Sequence, residues 1–146
     1  MSKVIEIGIC KLKGDKIVSV NEVEAIHGKG LLNDRKCKTQ NSKKSQVTLI
    51  EVENINFYNK ITGASIPAKD FRRNIITSGI KLNDMLNKEF FIGKVKVKGH
   101  DLCRPCKYLQ DLLNQKNLVK ELSTTGGLRC EILTGGKIYV NDKICF

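Results

Sequence analysis

The chain has 146 residues, of which 40% are hydrophobic and 28% charged, and 26 Lys and Arg against 15 Asp and Glu leave a net charge of +11. That length suits one domain around a single core, taken as residues 1–146, and the composition is ordinary for a globular protein. No apolar run approaches the ~20 residues of a spanning helix. The N-terminal MSKVIEIGICKLKGDK also lacks the successive basic, apolar and small-residue blocks of a secretion signal. A cytoplasmic location with no membrane partner is therefore expected.

Aromatic residues are few and Trp is absent, so the core must come mainly from Ile, Leu and Val, whose β-branched members favour strands. Val4, Ile5, Ile7 and Ile9 open an apolar stretch ending at the tight-turn pair Gly14-Asp15, and Ile17 to Val20 resumes it, which predicts a β-hairpin. Val23 to Ile26 reads as a short strand leading into His27-Gly28-Lys29-Gly30, then a polar basic loop. Gln46 to Val52 is the most compact apolar run and predicts a buried strand. Ile55, Tyr58 and Ile61 have helical spacing over Asn54 to Thr62, with Gly63 as the stop. Strand character returns over Phe71 to Thr77, a short helix is expected at Leu82 to Leu86, and Phe90 to Val97 alternates around a Gly93 kink. The strongest helical pattern is Pro105 to Leu122, with Pro105 in the first turn. Gly126-Gly127 ends it. Leu128 to Leu133, a Gly135-Gly136 turn and Ile138 to Ile144 then predict a final hairpin. Many short strands with one helical insertion near the C-terminal third point to a mainly β fold, a barrel or closed sandwich.

The charge excess points to an anionic partner such as nucleic acid, a membrane surface or a phosphorylated cofactor. Most of it is Lys spread along the chain, which suits solvated strand faces. The one dense run, Lys36 to Lys44, reads as a mobile basic loop. It lacks the interleaved aromatics on which a single-strand binder stacks bases, so nucleic acid is not the expected partner.

Six cysteines are present, and without a secretion signal reduced thiols are the default. Cys10, Cys130 and Cys145 sit in apolar alternating segments, where Cys behaves as a small buried hydrophobe. Only Cys103-Arg-Pro-Cys106 has a spacing that suggests chemistry. A thiol attacks or ligates as the thiolate, so its surroundings must favour the anion. Cys106 is expected in the first turn of the helix, where negative charge is stabilised. Arg104 and Lys107 flank it, and His100 lies upstream. Other readings compete. A closed zinc site needs four ligands, and there is no second CxxC or His pair to supply them. A thioredoxin-like redox pair expects a βαβ context. An iron–sulfur cluster wants more thiolates, and two unremarkable cysteines on a turn remain an option. The residue types place a reactive thiol slightly ahead.

Read together, distant segments form an ordered series. It runs from His27-Gly28 to Asp34-Arg35, then Gln46-Val47-Thr48-Leu49-Ile50, Ile66-Pro67 to Phe71-Arg72-Arg73-Asn74-Ile75, and Thr77-x-Gly79-Ile80-x-Leu82. Phe91-Ile92-Gly93, Cys103-x-Pro105-Cys106-x-x-Leu109, Gly126-Gly127-Leu128-Arg129 and Gly135-Gly136 complete it. Over nearly the whole chain this resembles the MOSC family, named for the C-terminal domain of molybdenum cofactor sulfurases. The resemblance implies a β-barrel like the pyruvate-kinase barrel domain and a Cys that carries sulfur or binds molybdenum, for which Cys106 is the better match. Cys103 is a partner thiol or a local variation. Family members often carry Gly-Asp-Arg-His where this chain has Asn33-Asp34-Arg35-Lys36, so the His of that turn is replaced here by Lys36.

The expected function is a sulfur carrier or molybdenum-cofactor-binding protein in cofactor sulfuration. A molybdenum-dependent reductase of the same family and a non-enzymatic polyanion- or nucleic-acid-binding β-barrel are the alternatives. A molybdenum–pterin centre is soft enough to accept the Cys106 thiolate, and its phosphate calls for Arg or Lys. Arg73 and Asn74 are the leading candidate contacts, Asn74 toward a ring edge, followed by Arg35, Arg72 and Arg129. Pyridoxal phosphate belongs to a separate desulfurase portion of larger relatives, so the implied partners are a cysteine-desulfurase-type donor and a molybdenum cofactor or molybdoenzyme acceptor.

Overall fold

Apolar residues alternating with polar ones build the strands of an eleven-stranded fold, and the computed structural model describes all residues from Met1 to Phe146. β1 (Lys3–Ile9) pairs antiparallel with β2 (Val18–Val20), with Ile7 opposite Val20, as the hairpin pattern predicts. β3 (Glu22–Ile26) turns through Gly28, at φ +72°, into β4 (Gly30–Leu31).

β5 (Val47–Glu51), α1 (Val52–Thr62) and β6 (Ile75–Ser78) follow, and β5 and β6 pair in parallel. A parallel pair requires a crossover, and α1, ended by Gly63 at φ +71°, supplies it. β5 and β6 are buried on both faces. Val47, Leu49 and Ile75 point into a core of 21 residues, while Ile50 and Ile76 join an eight-residue cluster with Ile55, Tyr58, Phe71, Leu109, Leu118 and Leu122. Double-sided burial explains the largely apolar run, in which the polar side chain of Thr48 is buried and hydrogen-bonded to Asn74. Each such Leu or Ile contributes about 1.5–3 kcal/mol. A one-residue slip would exchange the two cores, so the register is strongly fixed.

β7 (Glu89–Ile92), β8 (Val95–Leu102), β9 (Leu128–Thr134), β10 (Gly136–Tyr139) and β11 (Ile144–Cys145) complete the strands. The larger sheet has the order β11-β7-β8-β9-β5-β6-β1-β2, and the smaller β10-β3-β4. These are open sheets, not the closed barrel expected. The curl brings β1 back to the 141–144 segment, where the Val4 N–H donates to the Asp142 carbonyl (2.9 Å) and the Asn141 N–H to the Val4 carbonyl (2.9 Å). Lys3 and Lys143 form only an isolated bridge, so no continuous ladder closes the ring.

Four other local expectations need correction. The final hairpin does not form: β10 pairs with β3 and β11 with β7. Gly135-Gly136 is a crossing between sheets, and a Cβ on Gly135 would lie 2.7 Å from the Ala25 carbonyl oxygen. The Pro105 to Leu122 helix is two short ones, α2 (Lys107–Leu112) and α3 (Leu118–Glu121), separated at Asn114, whose φ of +53° breaks the helix. The strand expected over Phe71 to Thr77 begins only at Ile75, in β6. Phe71 ends a 3₁₀ turn (Ala68–Phe71), and Arg72 sits in the left-handed region at φ +63°. Cys10 and Cys130 are buried as expected, but Cys145 is exposed on the edge strand β11. No helix is long and apolar enough to cross a membrane.

Candidate functional site

The segment that joins β8 to α2 is extended, and it carries Cys103 and Cys106 along one wall of a cavity of about 560 Å³. The Cys103 N–H donates to the Gly127 carbonyl at 2.7 Å, which fixes this wall against the start of β9. Cys103 is buried at 3% exposure, whereas Cys106 is exposed. Cys106 is the residue before α2, not within its first turn, and has extended backbone angles (φ −100°, ψ 167°). A six-residue helix has little dipole to offer, so the positive charge here must come from side chains.

It does. All five arginines of the chain, Arg35, Arg72, Arg73, Arg104 and Arg129, line this one cavity together with Lys13 and Lys36, and none of the 15 acidic residues does. Thr48, Tyr108 and Leu109 also contribute to its walls. The lysines are scattered over the molecule, as their spread along the sequence suggests. The arginines are not.

Each cation is placed by a separate device. Asp34 is buried, and its Oδ1 accepts the Cys10 N–H (2.8 Å) while Oδ2 accepts the Lys36 N–H (3.2 Å). The Arg35 N–H donates to the Cys10 carbonyl at 2.8 Å, so the turn after β4 is sewn to the end of β1 with Arg35 and Lys36 on the cavity. Asp34 thus acts as a pin. Burial, then Arg129 and Arg35, hold the Lys36 ammonium below the usual lysine range, and Cys103 partly opposes them. The following basic run is tied back at Asn41, whose Nδ2 donates to the carbonyls of Lys29 (2.8 Å) and Lys36 (2.6 Å).

Arg72 reaches outward from its left-handed position. Its Nη1 donates to the Asp15 carbonyl at 3.0 Å, and its Nη2 lies 3.7 Å from the Cys10 Sγ, which holds the β1–β2 loop bearing Lys13 at the cavity edge. Arg73 points the opposite way, into the protein. Its Nε donates to the Gly126 carbonyl (2.9 Å), Nη1 to Phe71 (3.3 Å) and Nη2 to Cys103 (3.1 Å). These acceptors are neutral, so Arg73 is a buried cation with no carboxylate partner. Burial pushes its pKa down, with Cys103 opposing and Arg129 reinforcing the shift.

Arg129, in β9, stands across from Thr48 and Asp101 and donates from Nη1 to the Lys44 carbonyl at 3.3 Å. Arg104 approaches Asp101 at 3.8 Å.

The sequence-derived candidates therefore divide. Cys106, Arg35, Arg72, Arg73 and Arg129 meet at the cavity, and Asn74 does not line it. The Asn74 Nδ2 donates to the Gly8 carbonyl (3.1 Å), and its Oδ1 accepts the Thr48 N–H (3.1 Å) and hydroxyl (3.2 Å). These bonds tie β1 to β5, so the expected ring contact gives way to a structural role. Lys13, Lys36, Thr48, Arg104 and Tyr108 were not among the candidates. Lys13 and Tyr108 carry no distinguishing local pattern, while Lys36 and Arg104 adjoin motif residues.

The residue pattern and the fold agree with the comparisons. The MOSC domain model matches residues 31–145. No curated protein matches the sequence. Among solved structures, the YuaD protein of Bacillus subtilis superposes with a TM-score of 0.78 at 16% identity, covering 99% of this chain and 94% of that one. YiiM from Geobacillus stearothermophilus gives 0.78 at 18% identity, with 99% and 74% covered. YiiM from Escherichia coli gives 0.73 at 14%, with 99% and 69% covered. At such identities the structures bear on fold alone, whereas the family model spans most of the sequence, and the chain belongs to the MOSC domain family.

Proposed function

We propose that this protein is a sulfur carrier or molybdenum-cofactor-binding module that works through Cys106 in the cytoplasm, receiving sulfur from a cysteine-desulfurase-type donor and serving a molybdenum cofactor or molybdoenzyme. The observation that carries the reading is the gathering of every arginine, with two thiols and no carboxylate, around one cavity. Guanidinium groups bind phosphate oxygens in forked pairs and keep their charge when partly buried. Such a set fits a phosphorylated anion carrying a soft element, and it suits a metal cation without bound anions poorly.

A phosphorylated pterin with a molybdenum dithiolene has that character. Arg35, Arg72, Arg73 and Arg129 would surround its anionic groups, and Cys106 would offer a thiolate to the soft metal. When bound, the group would supply oxygen- or sulfur-transfer chemistry. The chain's own contribution is to place an exposed thiol on the wall of a recess lined by arginines, which would attract an anionic sulfur species. The same geometry accommodates a molybdenum-dependent reductase as a variant. A polyanion-binding surface is less well supported, because the arginines line a concave recess with one tyrosine, not an extended aromatic-studded face.

Incubation with a cysteine desulfurase and cysteine tests the reading. Intact mass should rise by one sulfur in the wild type, and this gain should vanish in Cys106→Ser. Equal loading of the two proteins, or loading of neither, would contradict it.

A further inference from the structure

We infer that Cys103 is the second station of a two-cysteine sulfur relay, in which the exposed Cys106 takes sulfur from a donor and passes it inward to the buried Cys103. The inference rests on the sulfur-carrier reading and assigns a role to the cysteine which that reading leaves idle.

Three observations carry it. The two cysteines line the same cavity but differ in access: Cys106 is exposed and Cys103 is 3% exposed. A protein donor can therefore reach the first and not the second. Next, the wall at Cys103 faces a buried cation with no anionic partner, since Arg73 spends its donors on the carbonyls of Gly126, Phe71 and Cys103 itself. An uncompensated buried charge favours an anion placed beside it. Of the cavity's two cysteines, Cys103 opposes the fall in the Arg73 pKa more than Cys106 does, and it opposes that of Lys36 as well. Finally, the remaining four cysteines do not compete for the role. Cys10 is buried with its thiol turned to the Leu12 and Asp15 carbonyls, Cys130 is fully buried and burial pushes its thiol far up, and neither these two nor Cys37 and Cys145 line the cavity.

The step balances without an outside oxidant. The Cys103 thiolate attacks the terminal sulfur of the Cys106 persulfide, a new S–S bond forms to Cys103, and the old S–S bond to Cys106 breaks. Cys106 leaves as thiolate and takes up the proton that Cys103 lost. One sulfur atom moves, and the number of S–S bonds is unchanged. The persulfide anion gains by the move, because its charge passes from an exposed position to one beside Arg73 and Lys36, where screening by water is weaker.

The test uses the full chain with Cys37 and Cys145 replaced by Ser, and two donors of different size, sodium polysulfide and persulfidated serum albumin. Cys106→Ala should load from polysulfide, which can enter the cavity, and lose loading from albumin. A bulky maleimide then locates the sulfur in the albumin-loaded parent protein. On a free Cys106 thiol the label survives dithiothreitol, whereas on a Cys106 persulfide dithiothreitol releases it. The relay predicts a label that survives in the parent protein and is released in Cys103→Ala and Cys103→Ser. Release in all three, or loading of Cys106→Ala by albumin at the parent rate, would overturn the relay while leaving the sulfur-carrier reading standing. Failure of the parent protein to load from either donor would overturn both.

Discussion

Arg73 Nη2 donates to the carbonyl oxygen of Cys103 at 3.1 Å, so the cation buried deepest in the cavity wall is also the residue that holds the thiol-bearing segment in place. Its other two bonds, to Gly126 and Phe71, join the strand entering β9 to the turn before β6. One side chain thus links three separate segments of the chain, and its charge stays available to a ligand because all three acceptors are neutral.

Arg73→Met should therefore destabilise the fold as well as weaken anion binding. Loss of three hydrogen bonds from a charged donor, with their carbonyl acceptors left inside the protein, is expected to cost about 2 kcal/mol or more. Urea unfolding should show this as a lowered midpoint. Arg73→Lys should recover only part of it, since one ammonium cannot reproduce the planar fork.

Asn74 makes the contrasting case. Asn74→Ala leaves the Thr48 N–H and the Gly8 carbonyl without partners in a buried setting, so a loss of about 2–3 kcal/mol is expected. Sulfur loading per folded molecule should be unchanged, because the side chain does not line the cavity. A thermal melt paired with intact mass measured well below the transition separates the two effects.

How far the sequence reveals the site depends on what kind of signal each residue carries. Cys106 and the Arg72-Arg73 pair stand out as residue types in unusual places, and both reach the cavity. Asn74 stands out equally and does not, because its side-chain amide is spent on the Gly8 carbonyl and on Thr48, tying β1 to β5. Lys13 enters from the β1–β2 loop, held there by Arg72 bonding the Asp15 carbonyl, a contact between residues 57 apart. The strands and α1 follow from apolar spacing, which is local. The exchange of β10 and β11 into different partners depends on Gly135 packing against the Ala25 carbonyl oxygen, which is not.

Lys36 gives a pH-dependent prediction. Burial, with Arg129 and Arg35, lowers its pKa in the folded protein from 10.5, so between the lowered value and 10.5 the unfolded chain binds more protons. Stability from this group therefore rises with pH in that window. Below it, the charged Lys36 weighs against folding in full, and the burden lifts as pH climbs through the folded-state value. Lys36→Met should be more stable than wild type near neutral pH, with the difference shrinking toward pH 10.5 in urea titrations. The same substitution should weaken anion binding at neutral pH.

Gly127 sits at φ +121°, and a Cβ there would collide with the Leu49 carbonyl oxygen and approach the Arg73 Nε to 3.5 Å. Gly127→Ala combines backbone strain with a clash at the β5–β9 junction, so a loss of about 2–3 kcal/mol is expected. Because the collision is with backbone, repacking of side chains cannot relieve it. Faster hydrogen exchange at the amides of β5 and β9 would show where the strain is released.

The central claim is the proposal that the arginine-lined cavity, with Cys106 at its opening, receives a molybdenum cofactor. The most direct measurement is molybdenum content after the protein is mixed with extracted molybdenum cofactor and passed through gel filtration. Wild type should retain near-stoichiometric metal, Cys106→Ala should retain much less, and a variant with Arg35 and Arg129 both replaced by Gln should lose phosphorus and molybdenum together. Metal absent from wild type, or retained equally by all three proteins, would contradict the claim.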